Sequence, residues 1–266
     1  MVRILTGILL AVGVSVGIVF LSPNALKAVI AGLAAICLFE FARMALPKHP
    51  SSSPALLIVS GIALALAVMF GYGKPAVLLL ALPLIVMSTF VFYLFRQHSL
   101  ELVFTQISRS VFGAVYGGLM FSFLGLLRDV GIGWLFVVLG TTFAADTGAF
   151  FAGHLLGRHK LAPRVSPSKT IEGLLGGWVA AVAVAFLCKI LFAGVFSVRD
   201  CFILGAVAGL IGPLGDLSES MIKRSMGVKD SGDLIPGHGG LLDRVDALLF
   251  TSPVVYYYAA YLRHPL

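Results

Sequence analysis

Acidic side chains are concentrated in one part of this sequence. Eight of its 12 Asp and Glu residues lie between Asp146 and Asp246, although only 12% of all residues are charged. Asp216 and Glu219 are three residues apart, and Asp243 and Asp246 repeat that spacing, which places each pair on one face of a helix. Two such faces brought together form an all-oxygen site, the donor set that Mg²⁺ prefers. The spacing therefore predicts a magnesium site.

A glycine-rich stretch separates the two acidic pairs. Residues 236–240 read Pro-Gly-His-Gly-Gly and cannot form a stable helix. Glycine permits positive φ angles and close approach of the backbone to a ligand, as in loops that bind phosphate through backbone N–H groups. Residues 236–240 are therefore predicted to hold phosphate between the carboxylates.

A basic stretch lies upstream, at residues 157–173. It contains four cations, and Ser166 and Ser168 precede Lys169 just before a helix predicted to open near Thr170. The free N–H groups at a helix N-terminus favour phosphate, although basic loops also serve as plain topology signals. Asp146 lies inside an apolar run, where an acid either lines a functional cavity or makes a structural hydrogen bond. The sequence leaves these alternatives open.

The elements that must position these residues are membrane helices. Hydrophobic residues make up 59% of the chain and the mean hydropathy is +1.02, whereas a soluble domain is about one quarter charged. We predict an all-α polytopic membrane protein of about nine transmembrane helices, with a polar catalytic region between the last helices. Residues 1–130 are expected to form a scaffold and residues 131–266 the catalytic region of one integral-membrane unit. The nine candidate segments are residues 2–21, 25–46, 55–72, 75–95, 110–127, 130–151, 174–196, 201–222 and 247–262.

The distribution of cations predicts the orientation. With nine spans, 13 of the 19 Lys and Arg residues fall on the side of the N-terminus, and the loops at 152–173 and 223–246 share that side. The positive-inside rule then places this side in the cytoplasm. The net charge of +7 is explained by anionic lipid and anionic substrate as partners, so no nucleic acid is expected. Carboxylates, cations and a glycine cradle at a membrane together point to phosphoryl or nucleotidyl transfer onto a lipid.

One long motif resembles a known family. From Ser220 to Asp246 the chain reads S-x-I-K-R-x₄-K-D-x-G-x₂-I-P-x-H-G-G-L-x-D-R-V-D, which is similar to the signature of the phosphatidate cytidylyltransferases, or CDP-diacylglycerol synthases. The stretches at 146–149 and 166–173 are similar to that family as well. Ser168 stands where many members are expected to have a second lysine.

The resemblance implies that CTP and phosphatidic acid give CDP-diacylglycerol and pyrophosphate in a multi-pass protein of the inner membrane, with the site facing the cytoplasm. It implies Mg²⁺ as cofactor, a monovalent cation such as K⁺ sharing the site, and a homodimer. The implied metal ligands are Asp216 and Asp243, with Asp246 beside them. Glu219, from its helical spacing, and Asp146, from its place in an apolar run, are further candidates. The implied phosphate-binding and catalytic residues are Ser166, Lys169, Thr170, Lys223, Arg224, Lys229, Gly237, His238, Gly239, Gly240, Arg244 and Asp246.

Three other classes of protein are alternatives to this interpretation. A CTP-dependent lipid kinase would use similar groups but transfer the γ-phosphate to an alcohol. A transporter would require an inverted repeat with paired broken helices, and the sequence has no such repeat. The CDP-alcohol phosphotransferases are excluded because their motif D-x₂-D-G-x₂-A-R-x₈-G-x₃-D-x₃-D is absent from the sequence.

Overall fold

The computed structural model describes residues 2–46, 52–96, 100–234 and 239–263. Within these ranges the chain is built of helices, two of which end in or pass through π-helical turns, and one short β-hairpin. The helices are α1 Val2–Phe20, α2 Pro23–Ala45, α3 Pro54–Phe70, α4 Pro75–Phe95, α5 Leu100–Gly113, α6 Met120–Val130, α7 Ile132–Leu156, α8 Ile171–Leu191, α9 Val198–Ser225 and α10 Leu242–Tyr257. The π-helical segments are Ala114–Leu119, between α5 and α6, and Tyr258–Leu262, after α10, and the strands are β1 Lys160–Ala162 and β2 Ser166–Thr170.

The helices explain the apolar segments of the sequence. Each of the nine predicted segments coincides with a helix or with a continuous helical run. Six helical runs in the described part of the chain are long and apolar enough to cross a membrane: α2, α4, α5 to α6, α7, α8 and α9. The predicted class of helical, multi-pass membrane protein is therefore confirmed, while the number nine stays a prediction. The predicted segment 110–127 is extended to Leu100–Val130, because its first turns carry charged residues that a hydropathy scan excludes.

Two compact units can be distinguished by their internal packing. One consists mainly of residues 21–126 and 230–242, and the other of residues 4–20, 127–229 and 243–266. In the first unit, α2 and α3 meet where a Cβ at Gly61 would lie 2.6 Å from the side chain of Leu38. The π-helical segment Ala114–Leu119 also packs on α2, since a Cβ at Gly117 would lie 2.8 Å from the side chain of Leu38. The predicted division at residue 130 stays a prediction.

Small residues bring α7 and α8 together in the second unit. A Cβ at Gly148 would lie 2.5 Å from the Ala180 Cβ, and one at Gly177 would lie 2.6 Å from the Ala145 carbonyl oxygen. Lipid gives helices no hydrophobic reason to associate, so membrane helices rely on such close backbone contacts. This pairing fixes the two helices that flank the basic stretch.

The basic stretch itself forms a β-hairpin, where the sequence predicted only a loop. Lys160 pairs with Thr170 and Ala162 with Ser166 in an antiparallel register. Thr170 is also the N-cap of α8, and its hydroxyl accepts a hydrogen bond from the Gly173 N–H at 3.1 Å. The predicted start of a helix near Thr170 is confirmed.

Candidate functional site

The close approach of α9 and α10 places the acidic pairs. A Cβ at Gly215 would lie only 2.6 Å from the carbonyl oxygen of Asp246, so a side chain here would push the helices apart. One turn earlier, Gly212 faces Thr251 and Ala247 at ordinary contact distances of 3.6 and 3.8 Å. The glycine that precedes Asp216 therefore lets the acidic face of α9 meet the first turn of α10.

The other ends of these helices are joined by a polar contact. The Tyr258 hydroxyl donates to Asp200 Oδ1 at 2.5 Å, and Arg263 pairs with the same carboxylate at 3.2 Å. Asp200 belongs to a capping box with Ser197 at the start of α9. Contacts at both ends keep α9 and α10 aligned, which holds their acidic residues in register.

Lys223 connects the two acidic pairs. Its ammonium lies 2.9 Å from Glu219 Oε2 on its own helix and 2.5 Å from Asp243 Oδ1 on α10. All three side chains are at most 9% exposed. A buried ion pair holds only when each charge is compensated, and one ammonium here serves two carboxylates.

Glu219 and Asp246 form a second pair of carboxyl groups, and one oxygen atom of Glu219 lacks a hydrogen-bond donor. Glu219 Oε1 is buried and has no hydrogen-bond partner, while the carboxyl group of Asp246 interacts with the same glutamate. Asp246 Oδ1 accepts a hydrogen bond from the Ala247 N–H at 2.7 Å. Two neighbouring buried carboxyl groups repel each other unless a proton or a cation lies between them, so this position suits a cation.

The hairpin delivers a second lysine to the acidic face of α9. Lys169 Nζ lies 2.5 Å from Asp216 Oδ2 and 3.5 Å from the carbonyl oxygen of Pro213. The Ser220 hydroxyl donates to the other oxygen of Asp216 at 3.3 Å. The basic stretch and the acidic region therefore meet at Lys169 and Asp216.

Asp146 and Arg244 complete the charged cluster. The carboxylate of Asp146 interacts electrostatically with Asp216, Lys169 and Arg244, and it also acts on Asp246. Asp146 retains exposed surface, as does Arg244. The structure thus groups residues of α7, β2, α9 and α10 around one charged site.

Glu172 holds the base of the hairpin. Its carboxylate accepts hydrogen bonds from the backbone N–H of Arg158 at 3.0 Å and of His159 at 3.2 Å. The His159 ring pairs with it at 2.7 Å through Nδ1. These bonds fix the strand that precedes the turn, and with it the direction from which Lys169 reaches Asp216.

Two of the remaining predicted site residues are exposed cations, Arg224 and Lys229. Arg224 is exposed and donates to the Val228 carbonyl oxygen at 3.1 Å, just beyond the end of α9. Lys229 is exposed and Ser166 is half-buried at the start of β2. Gly239 has a φ of 80°, so the prediction of positive φ in the glycine stretch is confirmed there. Gly237 and His238 lie outside the described residues, and the predicted substrate contacts of the whole set, including Thr170, stay predictions.

The predicted metal ligands offer only oxygen donors. In the described part of the chain, no three His, Cys, Asp or Glu residues form a ready group that could hold a metal ion. Their donor set is nevertheless all oxygen, one buried oxygen of Glu219 has no donor, and Asp243 already shares a cation in the form of Lys223. The donor atoms of these residues therefore fit a hard cation. To bind it, Asp216 and Asp243 must exchange their contacts with Lys169 and Lys223 for the metal ion.

One buried carboxylate was missed by the sequence analysis. Glu40 of α2 is only 4% exposed and accepts hydrogen bonds from Ser231, Leu241 and Leu242. The signal was present, because an acid inside an apolar segment is costly and usually functional. Glu40 and Asp146 share this feature, since each is an acid within an apolar segment.

The chain is similar to one family of known proteins. Residues 1–262 match the model of the cytidylyltransferase family. A phosphatidate cytidylyltransferase of Bacillus subtilis is 32% identical in an alignment that covers 97% of each chain. One of Staphylococcus aureus strain COL is 34% identical over 84% of this chain and 85% of its own. One of Thermotoga maritima is 38% identical over 62% of this chain, and the aligned part spans 64% of that relative.

The fold and the site define a helical membrane protein with a partly buried cluster of charged residues. The chain belongs to the cytidylyltransferase family. The resemblance predicted from the motif at Ser220–Asp246 is confirmed.

Proposed function

We propose that this chain transfers a cytidylyl group from CTP to phosphatidic acid, giving CDP-diacylglycerol and pyrophosphate. In this reaction a phosphate oxygen of the lipid attacks the α-phosphorus of CTP. The bond from that phosphorus to the oxygen bridging to the β-phosphorus breaks, and pyrophosphate leaves. The relatives named as phosphatidate cytidylyltransferases support this assignment.

The observation that carries the proposal is the charged cluster around Lys169, Asp216, Lys223 and Asp243. Catalysis of such a transfer consists mainly of positioning and of neutralising charge that develops on phosphate oxygens. Two lysines held by carboxylates can exchange those partners for phosphate groups at little cost, because an ammonium is satisfied by either oxygen anion. The attacking phosphate is already ionised at neutral pH, so no general base is required.

We further propose that each exchange frees a carboxylate for a metal ion. Asp216, Asp243 and Asp246 are the proposed ligands of Mg²⁺, with Glu219 and Asp146 beside them. When bound, the ion supplies positive charge to the phosphate oxygens and orients them. The free acceptor at Glu219 Oε1 supports a cation at this place. A monovalent cation such as K⁺ is proposed to share the site.

The proposal extends to the orientation in the membrane and to the assembly. We propose nine membrane crossings with the N-terminus and the charged site on the cytoplasmic side, where CTP is found. The excess of basic residues in the loops at 152–173 and 223–246 supports that orientation. A homodimer is proposed from the family alone.

Incorporation of cytosine-labelled CTP into lipid tests the proposal. Purified protein in mixed micelles should label a lipid product only when phosphatidic acid is present. Removal of Mg²⁺ with a chelator should stop the labelling, and added Mg²⁺ should restore it. A CTP-dependent lipid kinase would instead leave the cytosine label in free CDP, and that result would overturn the proposal.

A further inference from the structure

Glu40 is an acidic residue inside a membrane helix. It lies in α2, which has the length and hydropathy of a membrane span, and its side chain is buried with 4% exposure. An ionised carboxylate in such a segment costs about 2.5–3.5 kcal/mol on insertion scales and requires partners. Its partners therefore show what the residue does.

Those partners are the two ends of one loop. Glu40 Oε2 accepts a hydrogen bond from the Ser231 hydroxyl at 3.2 Å and another from the Leu242 N–H at 2.9 Å. Glu40 Oε1 accepts from the Leu241 N–H at 3.0 Å. Ser231 opens the segment 231–242 and Leu241–Leu242 closes it. One carboxylate thus ties together residues ten positions apart, and the loop between them contains the glycine-rich stretch.

The same carboxylate caps α10. Leu242 is the first residue of that helix, and the first N–H groups of a helix have no partner within it. A negative charge at this end is also favoured by the helix dipole. A capping residue normally precedes its helix in the chain, whereas here the cap comes from α2, about 200 residues earlier in sequence.

Two glycines make room for this arrangement. A Cβ at Gly232 would lie 2.9 Å from Glu40 Oε1. A Cβ at Gly240 would lie 2.1 Å from the Ser231 hydroxyl oxygen and 2.7 Å from Glu40 Oε2. Gly240 was predicted from the sequence to bind phosphate. The structure gives a second reason for glycine at this position, because a larger residue would collide with Ser231 and Glu40.

Apolar packing does little to hold the start of the loop. A cavity of about 310 Å³ lies between α2 and the loop, lined by Glu40 and by residues 231–234. Where side chains leave such space, few contacts oppose local opening. The hydrogen bonds to Glu40 therefore restrain the two described ends of the segment.

We infer that Glu40 is a positioning residue for cytidylyl transfer: it fixes both ends of segment 231–242 and the first turn of α10. Asp243 is the residue after Leu242, so its backbone position depends on where that turn begins. The inference rests on the proposed function. The inference adds to that function a carboxylate, Glu40, that contacts neither substrate nor metal.

Glu40→Gln tests the inference, with Glu101→Gln as the matched control. Glutamine keeps the size of the side chain but replaces one acceptor oxygen with an NH₂ group that faces other donors. Glu101 is exposed, so the same change there should alter nothing. Purified variants in detergent are compared by hydrogen–deuterium exchange, read on peptides spanning residues 239–245, and by kcat and KM for CTP.

Exchange at the Leu241 and Leu242 amides should be about tenfold faster or more in Glu40→Gln, since bonds to a charged acceptor are lost. Peptides from α7, α8 and α9 should exchange as before. The kcat should fall about tenfold, with KM for CTP within about threefold, because a displaced helix start misplaces reacting groups. A merely structural loss would instead speed exchange throughout the protein and reduce the amount of active enzyme.

Ser231→Ala and Gly240→Ala keep the test decisive if Glu40→Gln does not fold. Ser231→Ala removes one of the three bonds, so exchange at Leu241–Leu242 should rise by about threefold. Gly240→Ala displaces the Ser231 hydroxyl and should reproduce the kcat loss of Glu40→Gln. Unchanged exchange in the folded variants, or faster exchange with unchanged kcat, would overturn the inference. Lack of transfer by the unmodified protein would instead overturn the proposed function. The exchange data would still test whether Glu40 holds Leu241 and Leu242 in place.

Discussion

Gly215→Ala tests whether the contact between α9 and α10 sets the geometry of the site. The new Cβ would meet the Asp246 carbonyl oxygen at 2.6 Å and the Phe250 Cβ at 3.1 Å, where ordinary contacts begin at 3.4 Å. The helices must therefore separate by about 0.8 Å, the difference between the shortest contact and an ordinary one. The obstructing atom belongs to the backbone, so no side-chain rotation relieves the clash.

The expected loss follows from that displacement. Misplacing reacting groups by about 1 Å costs about 10²-fold in rate, so kcat for cytidylyl transfer should fall about 10- to 100-fold. Overpacking costs about 1–3 kcal/mol, partly offset by the better helix propensity of alanine, worth about 1 kcal/mol. The variant should therefore remain folded while it loses most of its activity.

Gly212→Ala is the matched control on the same helix. Its Cβ would meet Thr251, Ala247 and Thr142 at 3.6 to 4.0 Å, which are ordinary contacts. It gains the same helix propensity without the clash, so kcat should remain within about twofold of the unmodified protein. The assay is label transfer at saturating CTP, with thermal unfolding in detergent measured in parallel. Equal kcat values for the two variants would refute the role given to Gly215.

Three further predictions concern the charged cluster. Asp243→Asn should abolish turnover while the protein still inserts and purifies, and near-normal activity at saturating Mg²⁺ would count against Asp243 as a ligand. Lys223→Met should destabilise the protein by about 3–5 kcal/mol in thermal or denaturant unfolding, because two buried carboxylates lose their shared cation. Adding Glu219→Gln to this variant should recover part of the lost stability. Equal stability of the single and double variants would contradict the pairing of Lys223 with Glu219. Glu172→Gln should speed tryptic cleavage at Arg158 relative to the unmodified protein, because the backbone there loses its acceptor, and an unchanged cleavage rate would show that the hairpin is held otherwise.

The sequence predicted the helical architecture because length and hydropathy determine it. The segments 25–46 and 75–95 coincide with α2 and α4 almost residue for residue. The first turns of α5 were missed because Glu101 and Arg109 lower the hydropathy of a segment that is still helical. The hairpin at 160–170 was missed because its pairing depends on Glu172 holding the strand, a contact between residues 13 or 14 positions apart that local patterns do not encode.

The same limit applies to the site. Spacing alone placed Asp216 with Glu219 and Asp243 with Asp246, since three residues of helix fix each pair. It could not show that Lys223 is shared by Glu219 and Asp243, because that contact depends on how two helices pack. The sequence shows an acid inside α2, but it could not show the partners of Glu40, because they are about 190 to 200 residues away in sequence.

The central claim, transfer of the cytidylyl group to a lipid phosphate, is tested most directly with CTP that carries tritium in cytosine and ³²P at the γ-position. Purified protein, phosphatidic acid and Mg²⁺ are incubated, and lipid and water phases are counted. The account predicts tritium in the lipid and an equal amount of ³²P in water-soluble pyrophosphate. Appearance of ³²P in the lipid, with tritium left in free CDP, would contradict it.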